Sequence, residues 1–178
     1  MTAKPARTAK NKGTGKAKQA SGLHPMLAAK LWENPCWLSF RVNFVAHHFN
    51  QPVYDWIEAV HGLSAPEHVV LYALALKDGI TADDIVASTA RPKNTLSRGV
   101  AGLMQRKMIT RRADPKDRRR LILTLTPRGR QMAEITIPAL VAHEAAMASA
   151  LSAAERRTLK KLLDKVILNQ SNWPTIIA

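Results

Sequence analysis

From Trp37 to about Val60 the apolar residues Leu38, Val42, Val45, Phe49, Val53, Trp56, Ile57 and Val60 recur at helical spacing, which predicts a long helix with one face turned inward. Pro52 falls near its middle and, lacking an N–H, is expected to kink or break it; Gly62 is expected to end it. The run APEHVVLYALALK, Ala65 to Lys77, predicts a second, largely buried helix, with Pro66 in its first turn and Asp78-Gly79 as its stop. Thr81, with Asp84 three residues on, has the form of a capping box for a short helix to about Ser88, with Ile85 and Val86 facing inward. After Thr89-Ala90-Arg91, Pro92 opens a helix to about Lys107 whose Leu96, Val100, Leu103 and Met104 share one face. Two strands are expected next, Ile109–Arg112 and Leu121–Leu125, joined by Ala113–Arg120. Thr126 and Pro127 restart a helix that runs to about Ala150 with Pro138 inside it. Ser152 and Glu155 cap a last helix striped by Leu159, Leu162, Leu163, Val166 and Ile167. There is no internal repeat, and the order predicts a mainly α chain with a small β element.

Composition narrows the class. At 178 residues, 46% of them apolar, the chain fits one domain of ordinary size with a real core. Residues 1–22 are low-complexity and hold six Lys/Arg and no acid; they have too little to bury to offset their ordering entropy and are expected to be a disordered basic tail. The single cysteine, Cys36, excludes an intramolecular disulfide framework and a cysteine-rich zinc site, and suits a reducing cytosol. No apolar run is long enough to span a bilayer and the first residues lack a signal-peptide core, so a cytoplasmic, nucleoid-associated protein with no membrane partner is expected.

The formal charge is +14, and it is unevenly placed. Residues 91–130 hold thirteen Lys/Arg against only Asp114 and Asp117, whereas the chain outside that block and the tail is mildly acidic. A basic block on a mildly acidic body is the footprint of a surface for a polyanion. Its parts are informative. Lys93, Asn94, Thr95, Ser97 and Arg98 project from the first two turns of the helix that Pro92 opens, away from its apolar face. With a short helix and a three-residue turn before it, this is a helix-turn-helix, whose second helix enters the major groove of double-stranded DNA by its N-terminal half. Arg and Asn there can make bidentate contacts to guanine and adenine. The strand pair beside it reads as a wing. Asp114-Pro115-Lys116-Asp117 supplies turn chemistry, and Arg118 and Arg119 at the tip can reach a neighbouring minor groove. Asp117 is expected to pair with a nearby Arg and hold the tip in shape.

Here the sequence resembles a family. Asp117-Arg-Arg119, five residues, then Leu125-Thr126 matches the D-x-R-x5-L-T signature of MarR-type winged-helix regulators, and Thr95-Leu-Ser-Arg98 is similar to their recognition helix. The resemblance spans about Leu38 to Leu168. It implies a homodimer with one winged helix-turn-helix lobe per subunit, residues 65–127, on a dimerisation body of N- and C-terminal helices, residues 35–62 and 128–170, all within one domain, residues 23–178. By position, Ser97 and Arg98 belong to the recognition helix and Arg119 is the wing arginine. Family members often carry Gly in the turn and Ser as cap, where this chain has Thr89 and Arg91; Arg91 is therefore expected on phosphate.

Other residues have competing readings. Trp56, Tyr72, Phe44 and Phe49 can line an apolar pocket in which Arg41 or a histidine such as His48 catches a carboxylate, and the resemblance implies a pocket for a small aromatic or anionic effector; aromatics at helical spacing are as readily plain core. Cys36 precedes the first long helix, where peroxide-sensing members place a reactive thiol, but the positions of their tyrosines hold Phe40 and Asn50 here, which favours a packed, inert cysteine. His47, His48, His61 and His68 form no compact ligand motif, so no metal and no cofactor is expected. No Walker loop, G-x-S-x-G, H-E-x-x-H or Cys-His pairing occurs, which argues against an enzyme. The expected function is a sequence-specific regulator, a repressor on a pseudo-palindromic operator released by a small effector. The alternative is a DNA-compacting protein indifferent to sequence.

Overall fold

The computed structural model describes residues 22–174, so the expected basic tail lies almost wholly outside the described residues. The chain divides into two compact units, residues 1–48 and 49–178.

In the first unit the pattern above missed a helix, α1, Pro25–Trp32. Its start has a local cause: Pro25 supplies a preset first helical residue, and His24 Nδ1 accepts from the Met26 N–H at 3.3 Å. The Asn34 side chain accepts from the Cys36 N–H at 2.8 Å just ahead of helix α2, Trp37–His61, of which residues 37–48 belong to this unit. Arg41 donates to the carbonyls of Trp37 and Leu31, tying α2 back to α1, and Lys30 lies over the Phe40 ring. None of residues 22–48 is buried, although Trp37, Val42 and Val45 are large and apolar.

The second unit has a core. It begins with the remaining turns of α2, whose helix runs through Pro52 and gives Val53 and Ile57 to the interior. Gly62, at φ 66, turns the chain out of α2 in the left-handed region that glycine occupies without strain. Helix α3, Ala65–Leu76, starts on a reciprocal box in which Ser64 and Glu67 cap each other, and it buries Val70, Leu71 and Leu74. After Gly79, Ile80–Thr81 forms a two-residue strand, β1, too short to be legible as a strand in the sequence. Helix α4, Ala82–Thr89, starts at the expected Thr81–Asp84 box. Helix α5, Lys93–Gln105, buries Leu96, Gly99, Val100 and Leu103. Met104, placed on that face by spacing, is exposed, and Gly99 takes its place, because α3 approaches so closely there that a side chain does not fit.

Strands β2, Ile109–Ala113, and β3, Leu121–Leu125, pair antiparallel, and β1 pairs with β3, giving a three-stranded sheet of order β1-β3-β2. Ile109, Leu123 and Leu125 turn into the core, whereas every residue of β2 after Ile109 is exposed. Thr126 caps helix α6, Pro127–Met147, through the Gly129 N–H, and α6 runs through Pro138. Helix α7, Ala153–Leu168, starts on the Ser152–Glu155 box and buries none of its residues. A short 3-10 turn, Gln170–Asn172, follows. The result is mainly helical with a winged helix-turn-helix, as the pattern predicted. No helix of the described residues is long and apolar enough to cross a membrane.

Candidate nucleic-acid interface

The helix-turn-helix is α4, the turn Ala90–Pro92, and α5. Its turn needs one left-handed residue, and that residue is Ala90, at φ 52, whose N–H still closes on the Val86 carbonyl. Glycine would be the unstrained choice at this position. Pro92 is the N-cap of α5 and has no side-chain acceptor for the free N–H groups of its first turn.

Core packing of Leu96, Gly99, Val100 and Leu103 sends the other side of α5 outward. Lys93, Asn94, Ser97 and Arg98 are exposed and Thr95 is half-buried. Lys93 reaches Asp83 of α4 at 2.7 Å, but both side chains are more than two-thirds exposed, so the pair is worth little in water and is easily exchanged for phosphate. The Ser97 hydroxyl donates to the Lys93 carbonyl at 2.9 Å, and the Thr95 hydroxyl makes a long 3.4 Å bond to Asn94 Oδ1. Arg98 makes no ion pair among the described residues.

The hairpin tip, residues 114–120, is held by two aspartates acting on backbone. Asp114 Oδ1 accepts from the Lys116 N–H at 2.9 Å, and Asp117 Oδ1 from the Arg119 N–H at 3.0 Å. The expected pairing of Asp117 with an arginine side chain is therefore corrected: the carboxylate shapes the tip through an amide, which leaves the guanidinium groups of Arg118 and Arg119 outside. Both residues are exposed. Arg120 behaves differently and lies 3.7 Å from Asp84. Asp84 is held below the usual carboxylate range by the Thr81 N–H and hydroxyl, which outweigh the opposing effect of burial, with smaller help from the charges of Arg120 and Lys77.

Arg91, expected on phosphate, instead turns inward. Its Nη2 donates to the Tyr54 hydroxyl at 2.8 Å and its guanidinium lies over the Tyr54 ring. Both residues line a cavity of about 950 Å³ together with His68, Tyr72, Arg120 and apolar side chains that include Val53 and Leu140. Of the five residues expected at an effector pocket, Tyr72 is on this wall. Trp56 lines a separate cavity of about 200 Å³ with His143. Arg41, Phe44 and His48 lie in the first unit, where the Phe44 and His48 rings stack at 3.9 Å. Sequence reasoning missed Tyr54, His68 and Arg120 as cavity residues. The one available signal was a histidine inside the apolar run HVVLY. His68 is 4% exposed, and burial holds its pKa down at about 4. Among the described residues no three His, Cys, Asp or Glu gather as metal ligands; Cys36, expected to be packed, is instead exposed, in a stretch where no residue is buried.

Comparison with known proteins agrees with this geometry. Residues 61–120, covering the helix-turn-helix and most of the wing, match the family model described as MarR family. The transcriptional regulator HosA of Escherichia coli O111:H- is 27% identical over 119 residues, 67% of this chain and 88% of that protein. BpsR of Bordetella bronchiseptica, whose DNA binding is regulated by 6-hydroxynicotinic acid, is 29% identical, with a TM-score of 0.57 over 71% of this chain and 98% of that one. MepR of Staphylococcus aureus, solved as a complex with DNA, is 26% identical, with a TM-score of 0.62 over 74% of this chain and 97% of that one. With its helix-turn-helix, its wing and its sequence relatives in agreement, the chain has a winged-helix fold and is similar to DNA-binding transcriptional regulators of the MarR family, whose model it matches over residues 61–120.

Proposed function

We propose that this regulator is a repressor that reads a pseudo-palindromic operator as a homodimer and is released by a small aromatic or anionic effector. One observation carries the reading of the DNA face: the polar side of α5 and the wing tip are both solvent-facing, and among the described residues their cations are either unpaired or lightly held. Lys93, Asn94, Thr95, Ser97 and Arg98 enter the major groove, with Asn94 and Arg98 on base edges. Arg118 and Arg119 reach the adjoining minor groove. Residues 65–127 act as the DNA-reading lobe. Residues 35–62 and 128–170 form the dimer body, and this is supported by the apolar side chains that α7 leaves in water, including Leu162 at 57% and Ile167 at 54% exposure. A single copy of the chain has no use for such a stripe. The cavity supports an effector, and BpsR supplies a precedent for control by a small aromatic acid. A dimer bound over a promoter blocks polymerase by occupancy, in a cytoplasmic, nucleoid-bound setting. An effector then lowers operator affinity by as much as it prefers the unbound arrangement.

Selection of bound duplexes from a random pool tests this. Enrichment of an inverted repeat, with half-sites about one helical turn apart, is the expected result. A pool that stays random identifies a DNA-compacting protein and ends the operator reading.

A further inference from the structure

Arg106, the C-cap of α5, is one of the thirteen cations between residues 91 and 130, yet its guanidinium is engaged within the protein. Its Nε donates to Glu67 Oε1 at 2.8 Å and its Nη2 to the Gly62 carbonyl at 2.6 Å. The Glu67 side chain, 8% exposed, is the most buried carboxylate of the ion pairs among the described residues. Its other oxygen accepts from the Ser64 N–H at 2.7 Å and the Ser64 hydroxyl at 2.8 Å. The end of α2, the start of α3 and the end of α5 therefore meet on one ion pair. Desolvation offsets most of what a buried ion pair gains, so stability alone is a weak reason for one; what it adds over apolar packing is a fixed geometry. Gly102 points the same way, because a Cβ there would run into the Glu67 carboxylate. Helix α5 is thus seated on that group. The joint lies at one end of the helix, and Asn94 and Arg98 lie towards the other. By helical rise Asn94 is about 18 Å along the axis from Arg106, so a tilt of about 5° at the joint displaces it by about 1.5 Å. A displacement of that size breaks a base-edge hydrogen bond, which tolerates only a few tenths of an ångström. Attraction to phosphate falls off gradually with distance and changes little.

We propose that Arg106 and Glu67 are positioning residues for sequence reading: their ion pair sets the tilt of α5 against α3 and the end of α2, so that Asn94 and Arg98 meet base edges in register. Neither residue touches DNA. Arg106 thereby leaves the set of cations that the basic block offers to phosphate, and preference for one duplex over another depends on a pair that contacts neither strand. The effect on base reading rests on the regulator reading above; the seating of α5 does not.

The test uses the full chain as wild type, Arg106→Gln, Arg106→Lys, Glu67→Gln and Gly102→Ala, the last of which displaces the Glu67 carboxylate with no change of charge. Affinities for a duplex from the selected pool and for a scrambled duplex of the same composition are measured over a range of salt. All measurements are made well below every variant's melting temperature, so that a loss of stability alone does not move the preference. Arg106→Gln, Glu67→Gln and Gly102→Ala are each expected to lower the preference for the selected duplex at least tenfold, with the scrambled duplex within twofold. In Arg106→Gln and Gly102→Ala the salt slope should stay that of the wild type. Arg106→Lys, which keeps the charge but not the two-pronged contact, should fall between wild type and Arg106→Gln, and it serves if the Gln variant does not fold. A salt slope lower by about one in Arg106→Gln, with both duplexes weakened alike, makes Arg106 a phosphate contact and overturns the proposal. An unchanged preference in Arg106→Gln and Gly102→Ala overturns it as well. Amide resonances of the same variants without DNA supply a reading that needs no operator. In Gly102→Ala they are expected to move along α5 as far as residues 94–98; changes confined to the turn around Gly102 overturn the proposal. If the pool yields no preferred duplex, the operator reading fails, and the amide resonances still decide whether the pair sets α5.

Discussion

Three side chains in the winged lobe show how surroundings decide what a polar residue does. Glu67 is buried, which by itself pushes its carboxyl up, but the Ser64 N–H and hydroxyl and the Arg106 guanidinium outweigh that and hold it below the usual range. It is therefore a buried charge with its donors in place, joining the start of α3 to the end of α5. His68, one residue on, has no such partner at Nε2 among the described residues and stays neutral. Its folded pKa of about 4 lies below the ordinary 6.5, so between those values the unfolded chain takes up a proton that the folded chain refuses. Its contribution to stability is complete above pH 6.5 and drains away as pH falls to 4, by roughly 3 kcal/mol. Urea unfolding at pH 7 and at pH 4.5 should show a shallower acid loss in His68→Phe than in wild type; equal losses assign the slope to other groups. Arg119 is the opposite case, an exposed cation whose only described hydrogen bond is made by its backbone. Arg119→Ala should lower affinity for the selected operator at least tenfold with the melting temperature unchanged. Undiminished affinity removes the wing from the interface.

At the scale of elements, the recognition helix is positioned by what it lacks. A Cβ on Gly99 would run into the Pro66 carbonyl, and one on Gly102 into the Glu67 carboxylate. These two absences let α5 lie against α3 and fix which of its sides faces out. The turn before it carries the opposite flaw, since Ala90 occupies a left-handed conformation that costs a non-glycine residue about 1–2 kcal/mol. Ala90→Gly should therefore raise stability by up to about 1 kcal/mol, the remainder being lost to the greater freedom of glycine in the unfolded chain. Chemical denaturation measures this, and a destabilised variant would mean that the methyl group packs more usefully than its exposure implies. The boundaries of α2 through α7 were legible to within two or three residues. Each is marked by a box, a proline or a left-handed glycine, devices that act within one turn of chain. Helix α1 escaped because its N-cap is a histidine and its eight residues bury nothing, so neither a common cap nor a periodic apolar face announced it. Strand β1 escaped because two residues have no period; pairing with β3 makes it a strand.

For the molecule as a whole, the distribution of exposed apolar surface is informative. The winged lobe buries most of its large side chains, leaving Tyr72, Leu76, Met104 and Leu121 exposed, whereas residues 22–48 bury none and α7 presents Leu159, Leu162, Val166, Ile167 and Leu168 to water. A second copy of the chain is the occupant we propose for α7. Leu162→Lys should shift the protein toward the monomer in sedimentation experiments at micromolar concentration, and operator affinity should fall with it as the paired half-sites are lost. A mass equal to that of the wild type takes Leu162 out of the dimer contact.

The amino-acid sequence by itself determined the local order: where helices start, which positions alternate, that the cations between Arg91 and Arg130 gather around a helix and a hairpin, and that the D-x-R and Leu-Thr motif stands at Asp117 to Thr126. These depend on interactions spanning at most a few residues, or on counting. Tertiary structure decided the direction of individual side chains. That Arg118 and Arg119 face solvent while Arg91 turns to a tyrosine thirty-seven positions earlier, that Asp117 serves an amide, and that His68 ends beside a cavity are outcomes of packing. They depend on which neighbour from a distant part of the chain offers a better partner than water, and no local rule contains that neighbour.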